Sequence, residues 1–198
     1  MKKRRVIRKK DRTDLIIEAL DFLRIAVIAV VITLLFFTFV ARKKEVVGNS
    51  MYPLLEDQES VFINVAAGYL SDIKRFDVVA VKNEDTGELW VKRVIALPNE
   101  TISYQNGLLY IDGVVVEESF LDEAYQKQVM EEEGLSFFTQ DMEPVTLKED
   151  EYFVAGDNRN NSLDSRNANV GPFHRNQIIA KGVLVYSPLS KVRYVSGG

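Results

Sequence analysis

Val46–Leu55, VVGNSMYPLL, separates two unlike parts of this chain. Ahead of it lies a long apolar run, and behind it lie short segments with a β pattern. Within it one hydroxyl, Ser50, stands between Gly48 and Pro53, a residue that frees the backbone and one that restricts it. Taken alone, the decapeptide is an ordinary loop containing a serine. Three further stretches make Ser50 a candidate nucleophile.

The apolar run is Ile25–Ala41, IAVIAVVITLLFFTFVA, with no charge in seventeen residues. As a helix it covers ~26 Å, slightly less than a ~30 Å hydrocarbon core. Leu20, Phe22 and Leu23 extend the apolar surface. Asp21 and Arg24 can snorkel to the interface, and Thr33 and Thr38 can bond back to helix carbonyls. An anchor over residues 13–41 is expected. Residues 1–12 hold eight Lys/Arg and one Asp, so +7 of charge sits there and −11 in the remainder, for a net charge of −4. A basic arm serves either nucleic acid or membrane topology; abutting an apolar helix, it points to topology, with the lipid bilayer as partner and no nucleic acid. The Lys/Arg bias predicts a cytoplasmic N-terminus and an outer location for everything after Ala41. Phe39-Val40-Ala41 has a bulky residue where a cleavable signal peptide needs a small one, so the anchor is expected to stay uncleaved.

The chain has 198 residues, no cysteine and one histidine, His174. Disulfides, thiol catalysis and thiolate metal sites are excluded, and one histidine does not make a multi-histidine metal site. No cofactor or metal is expected. About 155 residues remain after the anchor, enough for one domain with a sizeable core, or a core with an insertion.

That outer part reads mainly as β. Ser60–Val65, Phe76–Lys82, Leu89–Leu97, Thr101–Tyr104, Leu108–Ile111, Val114–Val116 and Glu151–Val154 are short and rich in β-branched or aromatic residues. Asn106-Gly107 and Asp112-Gly113 are hairpin turn signals. Ile178–Tyr186 offers one late strand, with Gly182 at a bulge. Phe120–Lys148, which includes three consecutive glutamates, reads as a solvated insertion with some helix. The pattern is a β core built from both ends of the outer region, with a cap in the middle.

Strand alternation in Leu89–Ile95 puts Trp90, Lys92 and Val94 on one face and Val91, Arg93 and Ile95 on the other. Lys92 is therefore flanked by apolar side chains. An ordinary lysine is neutral in about one molecule in 2,500 at pH 7. Burial lowers its pKa, and a neutral amine can take a proton from a serine. A strand-edge lysine that only blocks aggregation is the plainer alternative. Gly156–Arg166, GDNRNNSLDSR, is dense in loop-forming polar residues. Its Asp157, Asp164 and Arg166 can make a charge-paired scaffold, and Ser162 can orient a nearby amine. Calcium binding fails: Arg159 takes the third position of a calcium loop and no acid sits at the twelfth. Ser50 is not in a G-x-S-x-G elbow. Ser71-Asp72-Ile73-Lys74 matches S-x-x-K without its companion motifs. A Ser-His-Asp triad would have to use His174, in a turn after the polar loop.

NSMYPLL, FDVVAVK, VKRVIALPNE and GDNRNNSLDSR stand in the order and spacing of the boxes of type I signal peptidases, and the chain resembles the single-anchor Gram-positive form over Val46 to about Leu189. The resemblance implies a membrane-bound serine endopeptidase that removes signal peptides from secretory preproteins at the outer membrane face. By motif position Ser50 would be the nucleophile, Lys92 the general base and Ser162 the residue that positions the amine, with Asp157, Asp164 and Arg166 in support. It implies an antiparallel β catalytic core over residues 42–198 with a smaller β-rich cap inserted at about 98–150. The lysine box usually has glycines at the positions of Ala96 and Asn99 and Asp at Glu100, which leaves the local turn open. Gly48 lacks the hydroxyl that some members use as a second oxyanion donor. Substrate is expected to add itself to a strand edge near Phe76–Val81. Self-cleaving SOS-response repressors share the dyad on a related fold, but they carry a DNA-binding helical domain. A non-enzymatic anchored β module is the other alternative.

Overall fold

The computed structural model describes residues 11–84 and 86–197, apart from the side chains of Asp14, Thr38 and Phe39. Most of the basic tail, and the expected back-bond of Thr38, lie outside the described residues. The chain divides into two bodies, Met1–Phe39 and Val40–Gly198.

The first body is helix α1, Arg12–Phe39. Its segment Leu15–Phe37 has a mean hydropathy of 2.5 and is long and apolar enough to cross a membrane. At 1.5 Å per residue that segment covers ~35 Å. It is longer than the charge-free run because Glu18, Asp21 and Arg24 lie inside the helix. Apolar side chains project all round it, as they do on a helix made for lipid. The Thr33 hydroxyl donates to the Ala29 carbonyl at 2.8 Å. The helix stops at Phe39, short of the expected Ala41, because Ala41 opens a strand.

The second body is built from three antiparallel sheets. The first has the order β1 (Ala41–Glu45), β2 (Ser60–Asn64), β12 (Val183–Ser187), β13 (Arg193–Val195). The second runs β10 (Phe173–His174), β9 (Glu151–Ala155), β4 (Leu89–Ala96), β3 (Val78–Lys82), β11 (Ile178–Lys181). The third is β7 (Val114–Val116), β6 (Leu108–Ile111), β5 (Thr101–Gln105), β8 (Met142–Thr146). This third sheet and helix α3, Glu123–Glu133, form the cap.

Several elements depart from the local pattern. β1 reads ARKKE and has no β signature; it is an exposed edge strand paired to β2, where charge discourages further pairing. Val65 does not end a strand but opens helix α2, Val65–Leu70, capped by the Asn64 side chain accepting from the Ala67 N–H at 2.9 Å. The late strand is two strands in two sheets. Gly182, at φ +80°, is the corner between β11 and β12, and a Cβ there would lie 2.2 Å from the Tyr194 hydroxyl. Both hairpin signals give tight turns: Asn106-Gly107 joins β5 to β6, and Asp112-Gly113 joins β6 to β7. All four residues have positive φ, as type I′ turns require. Asn99, where a glycine is usual, takes φ +67°, a conformation asparagine tolerates better than most residues.

The core that carries the site is packed by Met51, Leu55, Val61, Ile63, Val78 and Val185, all buried. Each fully buried side chain of this kind contributes ~1.5–3 kcal/mol. β4 lies in the middle of the second sheet. β3 pairs along most of it, with Val79 opposite Lys92. β9 pairs only with Arg93–Ala96. Leu89–Lys92 therefore has no strand partner on the β9 side among the described residues.

Candidate active site

Ser50 sits in a tight loop hung between buried anchors. Gly48 turns the chain with φ +83°, and its N–H donates to the Asp57 carboxylate at 2.7 Å. The Tyr52 N–H then donates to the Asn49 carbonyl at 3.1 Å, and the Leu55 N–H to the Met51 carbonyl at 2.9 Å. Met51 and Leu55 fill the core, so the loop cannot lift without opening a cavity of the kind that costs ~2–5 kcal/mol. From the other side Asn158 clamps it. The Asn158 N–H donates to the Ser50 carbonyl at 3.1 Å and its side-chain amide to the Asn49 carbonyl at 3.1 Å.

Lys92 comes from the middle of β4 and is only 3% exposed. Its Nζ donates to Ser162 Oγ at 2.9 Å and lies 5.8 Å from the centre of the Trp90 ring. Burial pushes the amine down to about 8, against a partial upward pull from Asp164 and Asp157. At that value roughly one molecule in ten carries a neutral Lys92 at pH 7. Asp164 accepts from the Gly156 N–H at 2.9 Å and from Arg166 through two bonds of 2.8 Å. Burial works to raise the Asp164 pKa, but Arg166, the Ser162 hydroxyl and the Gly156 N–H hold it below the usual carboxylate value. Ser162 thus bridges the Lys92 amine to an ionised carboxylate.

Asp157 does not pair with Arg166. It takes both prongs of Arg93, at 2.8 and 2.7 Å, on the face of β4 turned away from Lys92. Arg93 also donates to the Phe76 carbonyl at 2.9 Å and lies 4.0 Å over the Phe120 ring. The structure therefore gathers Ser50, Lys92, Ser162, Asp164 and Arg166 in one place, with Asp157 beneath them. His174 is elsewhere, exposed and 2.9 Å from Asp150. Ser71 of the S-x-x-K match is tied to the Ala67 carbonyl at 2.5 Å. No cluster of His, Cys, Asp or Glu suited to a metal is present among the described residues.

The sequence matches the family described as "Signal peptidase, peptidase S26" over residues 19–187. The chain belongs to this signal peptidase family. Among its relatives, a signal peptidase I from Bacillus amyloliquefaciens is 38% identical over 93% of this chain and 97% of its own length. Signal peptidase I S of Bacillus subtilis is 38% identical over 88% of this chain and 92% of its own. A solved signal peptidase I from Enterococcus faecalis V583 is 32% identical, with a TM-score of 0.49, covering 56% of this chain and 97% of its own.

In this signal peptidase, Ser50 and Lys92 line a cleft of about 540 Å³. Residues 44–48 form one wall and residues 88–92 the other, with Leu163 beside them. The expected docking edge at Phe76–Val81 is closed: β3 is paired with β4 on one side and β11 on the other, and the Phe76 N–H already donates to Val94. Leu89–Lys92 is an open edge and lines the cleft. Local sequence also left four contributors unnamed. Asn158 and Gly156 stand inside the polar loop, and nothing in their types announced that the first grips residues 49–50 and the second packs against the Ser50 carbonyl. Arg93 was visible only as the neighbour of Lys92. Glu118, in the cap, accepts from Arg159 of the polar loop at 2.6 Å and gave no local signal at all.

Proposed function

We propose that this signal peptidase cuts preproteins by a Ser50/Lys92 dyad through an acyl-enzyme. The observation that carries the reading is a buried lysine amine, lowered to about 8, hydrogen-bonded to Ser162 in the cleft that also holds Ser50. Neutral Lys92 Nζ takes the proton from Ser50 Oγ as that oxygen attacks the scissile carbonyl. The resulting oxyanion faces the Ser50 N–H. The C–N bond breaks, the Lys92 ammonium returns its proton to the leaving amine, and an ester to Ser50 remains. Lys92 then takes a proton from water, which attacks the ester; the bond to Ser50 Oγ breaks, and the Lys92 ammonium gives that oxygen its proton back. Ser162 and Asp164 keep the amine aimed, and the Arg93–Asp157 and Arg166–Asp164 pairs hold the loop that carries them.

The substrate lies extended in the cleft and pairs with the open edge Leu89–Lys92 as an added strand, placing small side chains before the cut against the walls. Residues 1–12 stay in the cytoplasm and the body after residue 41 faces outward. The anchor confines enzyme and membrane-tethered substrate to one surface, which raises their effective concentration. The test is cleavage of a reporter preprotein by the full-length protein in detergent, beside Ser50→Ala and Lys92→Ala. Cutting at the signal junction by the wild type alone is expected. Equal cutting by all three would assign the reaction to another nucleophile.

A further inference from the structure

Arg159 belongs to the polar loop, yet no step above uses it. Its side chain is completely enclosed. Nε donates to the Gly156 carbonyl at 3.0 Å. One terminal nitrogen donates to Tyr104 Oη, Thr139 Oγ1 and Glu118 Oε2, at 3.1, 3.1 and 3.0 Å. The other donates to Glu118 Oε1 at 2.6 Å. The Tyr104 hydroxyl in turn donates to Glu118 Oε1 at 3.1 Å. Tyr104 is in β5, Glu118 follows β7 and Thr139 precedes β8, so three segments of the cap converge on one guanidinium of the catalytic loop. A buried cation is tolerated only when its donors are met in good geometry, and here the cap meets them.

Gly156 joins this cluster to the chemistry. Its N–H is held by Asp164 and its carbonyl by Arg159. A Cβ on it would lie 2.2 Å from the Ser50 carbonyl oxygen and 2.3 Å from Ser162 Oγ. The peptide that Arg159 grips is thus wedged between the serine loop and the hydroxyl that receives Lys92. Displacing it displaces both, and a shift of about 1 Å in reacting groups can cost ~100-fold in rate.

We infer that Glu118 and Arg159 are positioning residues: through Gly156 the cap sets the spacing of Ser50, Ser162 and Lys92 without touching the substrate. The inference rests on the Ser50/Lys92 reading. It assigns the cap a part in the rate of the reaction, separate from any part in recognition.

The test uses full-length Glu118→Gln and Arg159→Lys in detergent, with Tm, kcat, KM and the pH profile measured beside wild type, Ser50→Ala and Lys92→Ala. Glu118→Gln keeps the shape of the cluster and is the variant chosen to stay folded if Arg159→Lys does not. A fall in kcat of about tenfold to a hundredfold is expected, with KM within about twofold. The limb over which activity rises with pH, as Lys92 loses its proton, should move to higher pH as water gains access to Lys92. Wild-type kcat and an unmoved limb in folded Glu118→Gln would overturn the inference. So would a loss that tracks Tm and disappears on cooling, since that is the behaviour of a structural tie alone. If Ser50→Ala or Lys92→Ala cut like wild type, the dyad itself fails. If both are dead while Glu118→Gln is fully active, only the positioning role fails.

Discussion

The two faces of β4 treat the same problem in opposite ways. Lys92 and Arg93 are neighbours, each 3% exposed, and each brings a cation into the interior. On one face Arg93 meets the Asp157 carboxylate with both prongs and stacks over Phe120. On the other, Lys92 meets a hydroxyl and an indole ring, while Asp164 is bonded to Arg166 and the Gly156 N–H and Asp157 to Arg93. Burial then dominates and the amine is driven down to about 8. Arg93 has a carboxylate in contact that meets two of its donors, and Lys92 has none. One face carries a brace, and the other carries the amine proposed above as the base.

Matched methionine substitutions would sharpen or break that contrast. The largest effect expected is on activity: Lys92→Met should reduce preprotein cleavage by at least ~10⁴-fold, the scale seen when one member of a catalytic unit is removed. Next comes Arg93→Met, which strands Asp157 without its partner; a loss of ~3–5 kcal/mol in urea or thermal unfolding is expected. A small loss there would mean that Asp157 finds another donor, and the brace would be redundant. Third is pH. With neutral Lys92 as the proposed base, cleavage should rise about tenfold per unit below pH 8 and level off above it. A flat profile from pH 5 to 10, with chemistry limiting the rate, would remove lysine as the base.

Smaller effects follow. Ser162→Ala should lower kcat by ~10–100-fold, since Nζ loses the contact that aims it, while leaving KM near wild type. The smallest is a gain. The folded pKa of Lys92 lies below the unfolded value, so the native state binds fewer protons between about pH 8 and 10.4, and stability rises with pH across that window. Lys92→Met should therefore be more stable than wild type at pH 7 by ~1–3 kcal/mol, with the advantage shrinking above pH 8. Chemical unfolding at pH 7 and 10 checks it. Opposite signs for Lys92→Met and Arg93→Met at neutral pH are the direct signature of a base on one face and a brace on the other.

Local rules carried much of the architecture. A charge-free apolar run made α1 legible, because a helix with apolar side chains on all sides needs only composition to specify it. The cap hairpins were legible because Asn-Gly and Asp-Gly accept positive φ at both turn positions. Period-two alternation in β4 separated Lys92 from Arg93 before any contact was known, since successive strand residues must face opposite ways. The same rules failed where the surroundings overrule the local pattern. ARKKE became a strand because β2 offers it an edge. Ile178–Tyr186 became two strands because Gly182 turns a corner against Tyr194.

By itself, then, the sequence determined an apolar helix, a β body with an inserted cap, and the side of its strand from which Lys92 projects. All of these follow from composition, backbone preference and period, which act over a few residues. Tertiary structure alone decided that Asp157 answers Arg93 and not Arg166, that Leu89–Lys92 is a free edge while Phe76–Val81 is closed, and that Glu118 reaches Arg159 forty-one positions away. These are choices among chemically equivalent partners. Packing of distant segments settles them, and no local pattern records it.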